Sequence, residues 1–270
     1  MFGNIAKRLS GKNILITGAS TGIGYHTAKY FAEAAKGELK LVLAARRKEK
    51  LEALQADLIK EYPSIKVHIE TLDVSKLDTI EPFLKNLPEE FQTVDVLVNN
   101  AGKALGLDPI GSVPQTDVEE MFQTNVLGMI QLTQLVVNKM KERNVGDIVQ
   151  LGSVAGRNPY PGGGIYCATK AALRSFTHVL REELINTKIR IIEIEPGNVA
   201  TEEFSLVRFK GDKSKAEKVY EGTEPLYGTD IAELILFAVS RPENTVIAET
   251  LVFASNQASA YHIFRGSLDK

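Results

Sequence analysis

Thr17-Gly18-Ala19-Ser20-Thr21-Gly22-Ile23-Gly24 follows the apolar run Ile14-Leu15-Ile16 and precedes a stretch with helical periodicity. A buried strand therefore ends, the chain turns sharply and a helix begins. Gly18 can take backbone torsions closed to residues that carry a Cβ. Gly22 and Gly24 remove side chains where a pyrophosphate would approach and where the helix must pack on the strand. The helix start offers unpaired N–H groups and the positive end of its dipole to an anion. The segment reads as a dinucleotide cradle, in a spacing that departs from the common G-x-G-x-x-G.

Outward from this turn, strand and helix patterns alternate. Apolar runs at 14–17, 39–45, 67–72, 94–99, 148–151, 189–194 and 250–253 read as buried parallel strands. Helices are expected between them at 23–35, 48–61, 78–86, 118–141, 166–184 and 230–239. Right-handed βαβ crossovers then put helices on both faces of one sheet. The expected fold is α/β, a Rossmann-type doubly wound parallel sheet of about seven strands, built as a single domain by residues 1–270. Residues 103–114, rich in Gly and Pro, read as a loop. Residues 202–226 lie beyond a strand's carboxyl end and are crowded with Lys, Glu and Gly, so they are expected to form a lid over a ligand crevice. Residues 255–270 form a C-terminal tail.

The 270 residues are 44% hydrophobic, enough to fill one large core. A net charge of −2 gives no electrostatic case for a nucleic-acid or anionic-membrane partner. Cys167 is the one cysteine, so no internal disulfide framework exists, and the four scattered histidines show no metal-ligand spacing. No apolar segment is long enough to span a bilayer. The N-terminal stretch is basic, but a first strand starting at about Asn13 leaves no room for a removable leader. A cytoplasmic protein acting on a small molecule is expected.

Tyr-x-x-x-Lys places two side chains one helical turn apart on one face. The spacing occurs three times, at Tyr25/Lys29, Tyr62/Lys66 and Tyr166/Lys170. Pro63 argues against a regular helix across the second pair. The first lies on the helix after the glycine turn, where side chains pack on the sheet or face solvent. Only the third follows a serine near a strand end, Ser153 in Leu151-Gly152-Ser153-Val154. Reducing a carbonyl with hydride requires a proton donor at its oxygen, and oxidising an alcohol requires the same group as base. A phenol, with a reference pKa of about 10, is too weak an acid for efficient base catalysis near neutrality. A neighbouring ammonium and an oxidised nicotinamide are expected to lower it by roughly 2–3 units, or about 3–4 kcal/mol. The Ser153 hydroxyl can hydrogen-bond the reacting oxygen.

These residues, with Thr17-Gly18-x-x-x-Gly22-x-Gly24, Asn99-Asn100-Ala101-Gly102 and Pro196-Gly197, stand in the order and spacing of the short-chain dehydrogenase/reductases. The resemblance runs from about Lys12 to Phe264. It implies Tyr166 as acid/base, Ser153 as stabiliser of the oxygen, and Lys170 as the residue that holds the nicotinamide ribose and lowers the tyrosine pKa. It implies that Asn125 completes a water-linked proton relay. Thr17, Gly18, Ser20, Gly22, Ile23 and Gly24 would form the cofactor turn. Asp73 and Val74 would meet the adenine, Asn100, Ala101 and Gly102 would border the cofactor, and Pro196, Gly197, Val199 and Thr201 would lie at its nicotinamide end. Members of the family are usually tetramers built through the helices after strands four and five, which implies a homotetramer here.

NAD enzymes of this design place an acid at the end of strand two for the ribose 2′-hydroxyl. Here that end reads Leu43-Ala44-Ala45-Arg46-Arg47. Guanidinium groups at 46 and 47 suit a 2′-phosphate, so NADP is the expected cofactor, with Ser20 able to add a hydroxyl. A narrower resemblance, through 99–106, 204–212 and the tail, is to the fungal and bacterial NADP-dependent 3-hydroxy acid dehydrogenases, which oxidise serine and allo-threonine. One departure is Glu203, an extra residue against that group's Thr-Glu-Phe spacing. A 3-hydroxy acid needs a cation for its carboxylate, and Arg157, Arg208 and Lys210 are the candidates. The alternatives are a broad ketone and aldehyde reductase and a cofactor-sensing protein without chemistry. The second typically lacks the tyrosine or lysine that this chain retains.

Overall fold

The computed structural model describes residues 5–201 and 203–267. Its main sheet joins β1 (Asn13–Thr17), β2 (Lys40–Ala45), β3 (Lys66–Thr71), β4 (Val96–Asn99), β5 (Gly146–Leu151), β6 (Ile189–Pro196) and β9 (Glu249–Val252), while β7 (Val199–Ala200) and β8 (Leu226–Tyr227) pair separately. The main sheet is parallel throughout, in the order β3-β2-β1-β4-β5-β6-β9. The helices are α1 (Ile5–Leu9), α2 (Gly22–Ala34), α3 (Lys48–Glu61), α4 (Leu77–Lys85), α5 (Gln115–Phe122), α6 (Met129–Arg143), α7 (Gly164–Glu183), α8 (Phe204–Arg208), α9 (Lys213–Lys218) and α10 (Gly228–Val239).

Alternation along each strand feeds two cores. Ile14 and Ile16, Leu41 and Leu43, and Val96 and Val98 join Phe31, Leu51, Leu54, Ile231 and Ile235 from α2, α3 and α10. Leu15, Val42 and Leu97 point the other way, against Ile80 of α4, Leu132, Val136 and Met140 of α6, and Leu180 of α7. Strand order reverses between β1 and β4, which opens a crevice beyond the carboxyl ends of the strands.

The structure adjusts several expectations. β3 is the sheet edge, so Lys66, Glu70 and Thr71 are exposed and the strand is not buried on both faces. The helix expected at 118–141 starts at Gln115 and passes through a π-helical segment, Gln123–Gly128, before α6. The region expected as a lid contains α8 and α9, and its two ends are joined where β7 pairs with β8. Glu202, at the start of that region, lies outside the described residues. The tail folds back through a Gln257–Ile263 bridge and a bond from the Phe264 N–H to the Asn256 carbonyl, 2.8 Å; residues 268–270 lie outside the described residues. No helix among the described residues is long and apolar enough to cross a membrane.

Candidate active site

A cavity of about 670 Å³ opens at the crevice. At its floor Gly18 has φ +65°, and a Cβ there would come 2.9 Å from the Asn100 amide nitrogen. A Cβ on Gly24 would come 2.5 Å from the Gly18 carbonyl oxygen, so helix and turn touch as the cradle requires. Thr17 Oγ1 accepts from the N–H groups of Asn100 (3.1 Å) and Ala101 (3.0 Å). Asn100 Nδ2 donates to the Thr17 and Gly18 carbonyls at 2.9 and 3.1 Å. Gly18, Ser20, Gly22, Ile23, Asp73, Val74, Asn100, Ala101, Gly102, Pro196, Gly197, Val199 and Thr201 line the cavity. Thr17 and Gly24 are not among the lining residues; they hold the turn from behind.

Ser153, Tyr166 and Lys170 share the cavity wall. Ser153 caps the short helical turn Val154–Gly156, its Oγ accepting from the Ala155 N–H at 3.1 Å. Ser153 also favours the ionised form of the Tyr166 phenol, with which it lines the cavity. Lys170 is buried, with Nζ 5.9 Å from the Tyr166 ring centroid and donating to the Leu151 carbonyl at 2.6 Å. Burial pushes its ammonium down to about 8, against the pull of Glu193. Glu193 is itself pushed up to about 7, first by burial and then by Glu195 and Glu249, and neither of its oxygens has a hydrogen-bond partner.

The Tyr166 phenol is displaced upward, chiefly by burial and then by neighbouring Tyr160, while Ser153 and Arg208 act in the opposite sense. The expected lowering rests on an ammonium and an oxidised nicotinamide together, so this upward displacement belongs to the chain alone. Lys170 Nζ is directed to the Leu151 carbonyl, and burial is the largest influence on the phenol.

Arg46 and Arg47 stand at the cavity mouth with Ser20. Arg46 is exposed and helps hold the Asp73 carboxyl low; burial opposes that shift and Ser75 supports it. Arg47 Nη2 donates to Ser20 Oγ at 3.1 Å and Thr21 Oγ1 at 3.4 Å. A turn that lacks Cβ atoms at Gly18 and Gly22 and carries the Ser20 and Thr21 hydroxyls, with guanidinium groups at the end of β2, fits a dinucleotide carrying a 2′-phosphate.

The candidates for holding a substrate carboxylate separate sharply. Arg157 is turned away from the cavity: Nε meets Glu195 at 2.5 Å and Nη2 meets Glu249. Glu195 is fully buried, so Arg157 neutralises a carboxylate of the fold and the expectation for it is corrected. Lys210 pairs with Asp117 at 2.8 Å on the surface and does not line the cavity. Arg208 does line it, with its guanidinium carbon 6.0 Å from the Tyr166 ring centroid and 5.6 Å from that of Tyr160. It donates to Tyr160 Oη at 2.9 Å and to the Gly106 carbonyl at 3.2 Å. Asn125 does not reach the cavity either. Its amide donates to the Lys103 carbonyl (2.7 Å) and Thr169 Oγ1 (3.1 Å), and Oδ1 accepts from the Lys103 N–H (2.9 Å).

The family model described as short chain dehydrogenase matches residues 12–209. The chain belongs to the short-chain dehydrogenase family. An NADP-dependent 3-hydroxy acid dehydrogenase of Schizosaccharomyces pombe is 52% identical over 258 residues, covering 96% of this chain and 98% of the relative. A Salmonella typhi protein of the same description is 43% identical over 234 residues, covering 87% and 91%. The solved closed form of a serine dehydrogenase complexed with NADP+ superposes with a TM-score of 0.86 at 39% identity, covering 92% of this chain and 96% of that one.

Sequence reasoning missed two parts of this short-chain dehydrogenase's site. Tyr160 lines the cavity beside Tyr166, and Phe204 of α8 meets the Tyr166 ring edge-on at 5.9 Å. Tyr160 had a readable signal: an aromatic between Pro159 and Pro161, followed by glycines, is a stiff presentation of a ring between Ser153 and Tyr166. Phe204 had none, because its distance from Tyr166 is closed only by the fold of the lid.

Proposed function

We propose that the chain is an NADP-dependent oxidoreductase that interconverts a 3-hydroxy acid, of serine, allo-threonine or 3-hydroxypropionate type, and its 3-oxo product. NADP supplies or takes the hydride, and the chain does the rest. Gly18, Gly22 and Ile23 would seat the pyrophosphate, and Arg46, Arg47 and Ser20 the 2′-phosphate. Ser153 holds the substrate oxygen, and Tyr166 gives it a proton in reduction and takes one in oxidation. Lys170 orients the ribose and carries positive charge beside the phenol. Asn125, whose side chain is committed to Lys103 and Thr169, would hold the Lys103 main chain beside the cavity. The lid brings the Phe204 ring against Tyr166, an apolar wall beside the reacting atoms.

The observation that carries the substrate class is the Arg208 guanidinium, held over both tyrosine rings inside the cavity. A carboxylate leaving water needs such a partner. Arg208→Ala should raise KM for serine or 3-hydroxypropionate by roughly tenfold or more, about 1.4 kcal/mol, and barely affect reduction of a neutral ketone. Equal loss on both substrates would assign Arg208 to lid folding instead. Leu107, Val154, Phe204 and Ile263 give the same cavity apolar walls, which favours a second reading as a broad ketone and aldehyde reductase. No effect of the substitution on serine would support that reading.

A homotetramer is proposed through α5–α6 and α7, on which Leu127, Ala168, Ala171 and Val179 are exposed. A monomer in light scattering at micromolar concentration would contradict it. A cytoplasmic location is proposed with it.

A further inference from the structure

The Glu203 side chain occupies a telling place. One carboxylate oxygen meets Arg47 Nη1 and Lys50 Nζ, each at 2.6 Å. The other meets Arg47 Nη2 at 2.5 Å and Thr21 Oγ1 at 3.3 Å. Arg47 also holds Ser20 Oγ. The cations belong to the β2–α3 junction and the hydroxyls to the glycine turn, all on the body of the fold. Glu203 arrives from the other side, between β7 and α8, at the hinge of the lid. A carboxylate thus sits among the donors that suit the 2′-phosphate of NADP.

We propose that Glu203 is a tethered competitor for that phosphate, and that Lys50 joins Arg47 in holding the phosphate once Glu203 is displaced. The proposal presupposes the NADP dependence stated above. A phosphate monoester carries nearly two charges and three acceptor oxygens, so it can take over the donors of a carboxylate that carries one charge. The 2′-hydroxyl of NAD cannot. Guanidinium and ammonium groups together hold the Glu203 carboxyl down to about 2, so it stays ionised, and competes, throughout the working pH range. Its displacement would free the lid hinge when cofactor binds and would moderate the hold on the cofactor, which must leave after each turnover.

Calorimetric titration of the full chain with NADP+, NAD+, 2′,5′-ADP and 5′-AMP tests this. Glu203→Gln should tighten NADP+ and 2′,5′-ADP by roughly three- to tenfold and leave NAD+ and 5′-AMP within about twofold. Glu203→Ala should do the same, which guards against a local effect of the new amide. Lys50→Ala should weaken 2′,5′-ADP by about tenfold with 5′-AMP unchanged. Weaker 2′,5′-ADP binding in both Glu203 variants would make Glu203 a builder of the site and overturn the proposal. Weaker NAD+ binding would make it a ribose acceptor, and unchanged binding of all four ligands would make it irrelevant; either also overturns it. Arg47→Ala separates this failure from that of NADP dependence. If it selectively weakens 2′,5′-ADP while the Glu203 and Lys50 variants do not respond as stated, only this proposal falls. If it weakens 2′,5′-ADP and 5′-AMP equally, the NADP reading falls.

Discussion

Tyr25/Lys29 on α2 and Tyr166/Lys170 on α7 are geometrically the same pair: in each, the lysine Nζ lies 5.9 Å from the tyrosine ring centroid. Helical spacing builds both. Their surroundings differ. Tyr25 packs on the core beside His26, whose ring it meets edge-on at 5.2 Å, and neither it nor Lys29 lines the cavity. Tyr166 lines the cavity with Ser153, and Lys170 is buried against the Leu151 carbonyl. The third occurrence of the spacing is not a pair at all. Tyr62 ends α3, Lys66 begins β3, and Lys66 turns to Glu90 at 2.5 Å. Spacing makes a Tyr–Lys neighbourhood; a strand end opening into a cavity puts it where a ligand could meet it.

The sharpest way to break this comparison is to remove each phenol. Tyr166→Phe should keep the fold and NADPH binding yet lose about a thousandfold or more in kcat. Tyr25→Phe and Tyr62→Phe should leave turnover near that of the unaltered chain. Steady-state kinetics on all three would decide it, and activity within tenfold for Tyr166→Phe would end the assignment.

Arg157 and Arg208 extend the same lesson to cations. Arg157 is nearer Ser153 in sequence, but it serves Glu195, whereas Arg208 arrives from the lid and reaches the cavity. Arg157→Ala should leave a buried carboxylate poorly paired and cost about 3 kcal/mol of stability in denaturant unfolding, with KM for serine little changed. A normal unfolding midpoint with a raised KM would return Arg157 to the substrate. A smaller effect is expected at Glu193. Lys170 loses its charge as pH rises through about 8, so a rate that needs the ammonium falls there. Glu193 supports that charge, so Glu193→Gln should move the alkaline limb of kcat/KM to lower pH, with Glu195, Glu249 and Arg174 still in place around it. A limb that stays or moves upward would remove Glu193 from the site's electrostatics.

The sheet was legible because each strand is a run of apolar residues and each helix a periodic stretch. The exceptions have local causes. β3 looks like an interior strand, but its position at the edge depends on topology and not on its own residues. The π-helical turn leaves no break in the apolar pattern around Asn125. That Ser153, Tyr166 and Lys170 share one cavity wall was legible because Ser153 and Tyr166 are tied to a strand end and a helix start. Arg208, Tyr160 and Phe204 come together only when the lid folds, and no spacing reports that. The upward displacement of the Tyr166 phenol had no local signal, because it comes from surroundings, Tyr160 among them, that only the fold assembles.

That ionisation can be observed. An ultraviolet difference titration of the eight tyrosines, run with and without NADP+ and repeated on Tyr166→Phe, isolates the one phenol. Without NADP+, Tyr166 should ionise above the ordinary phenol range, so the two proteins should match below about pH 10. With NADP+ bound, its positive nicotinamide should bring one phenol down by roughly 2–3 units, and that transition should be missing in Tyr166→Phe. Titration curves unchanged by NADP+, or a low-pH transition that survives in Tyr166→Phe, would contradict the role given to this tyrosine.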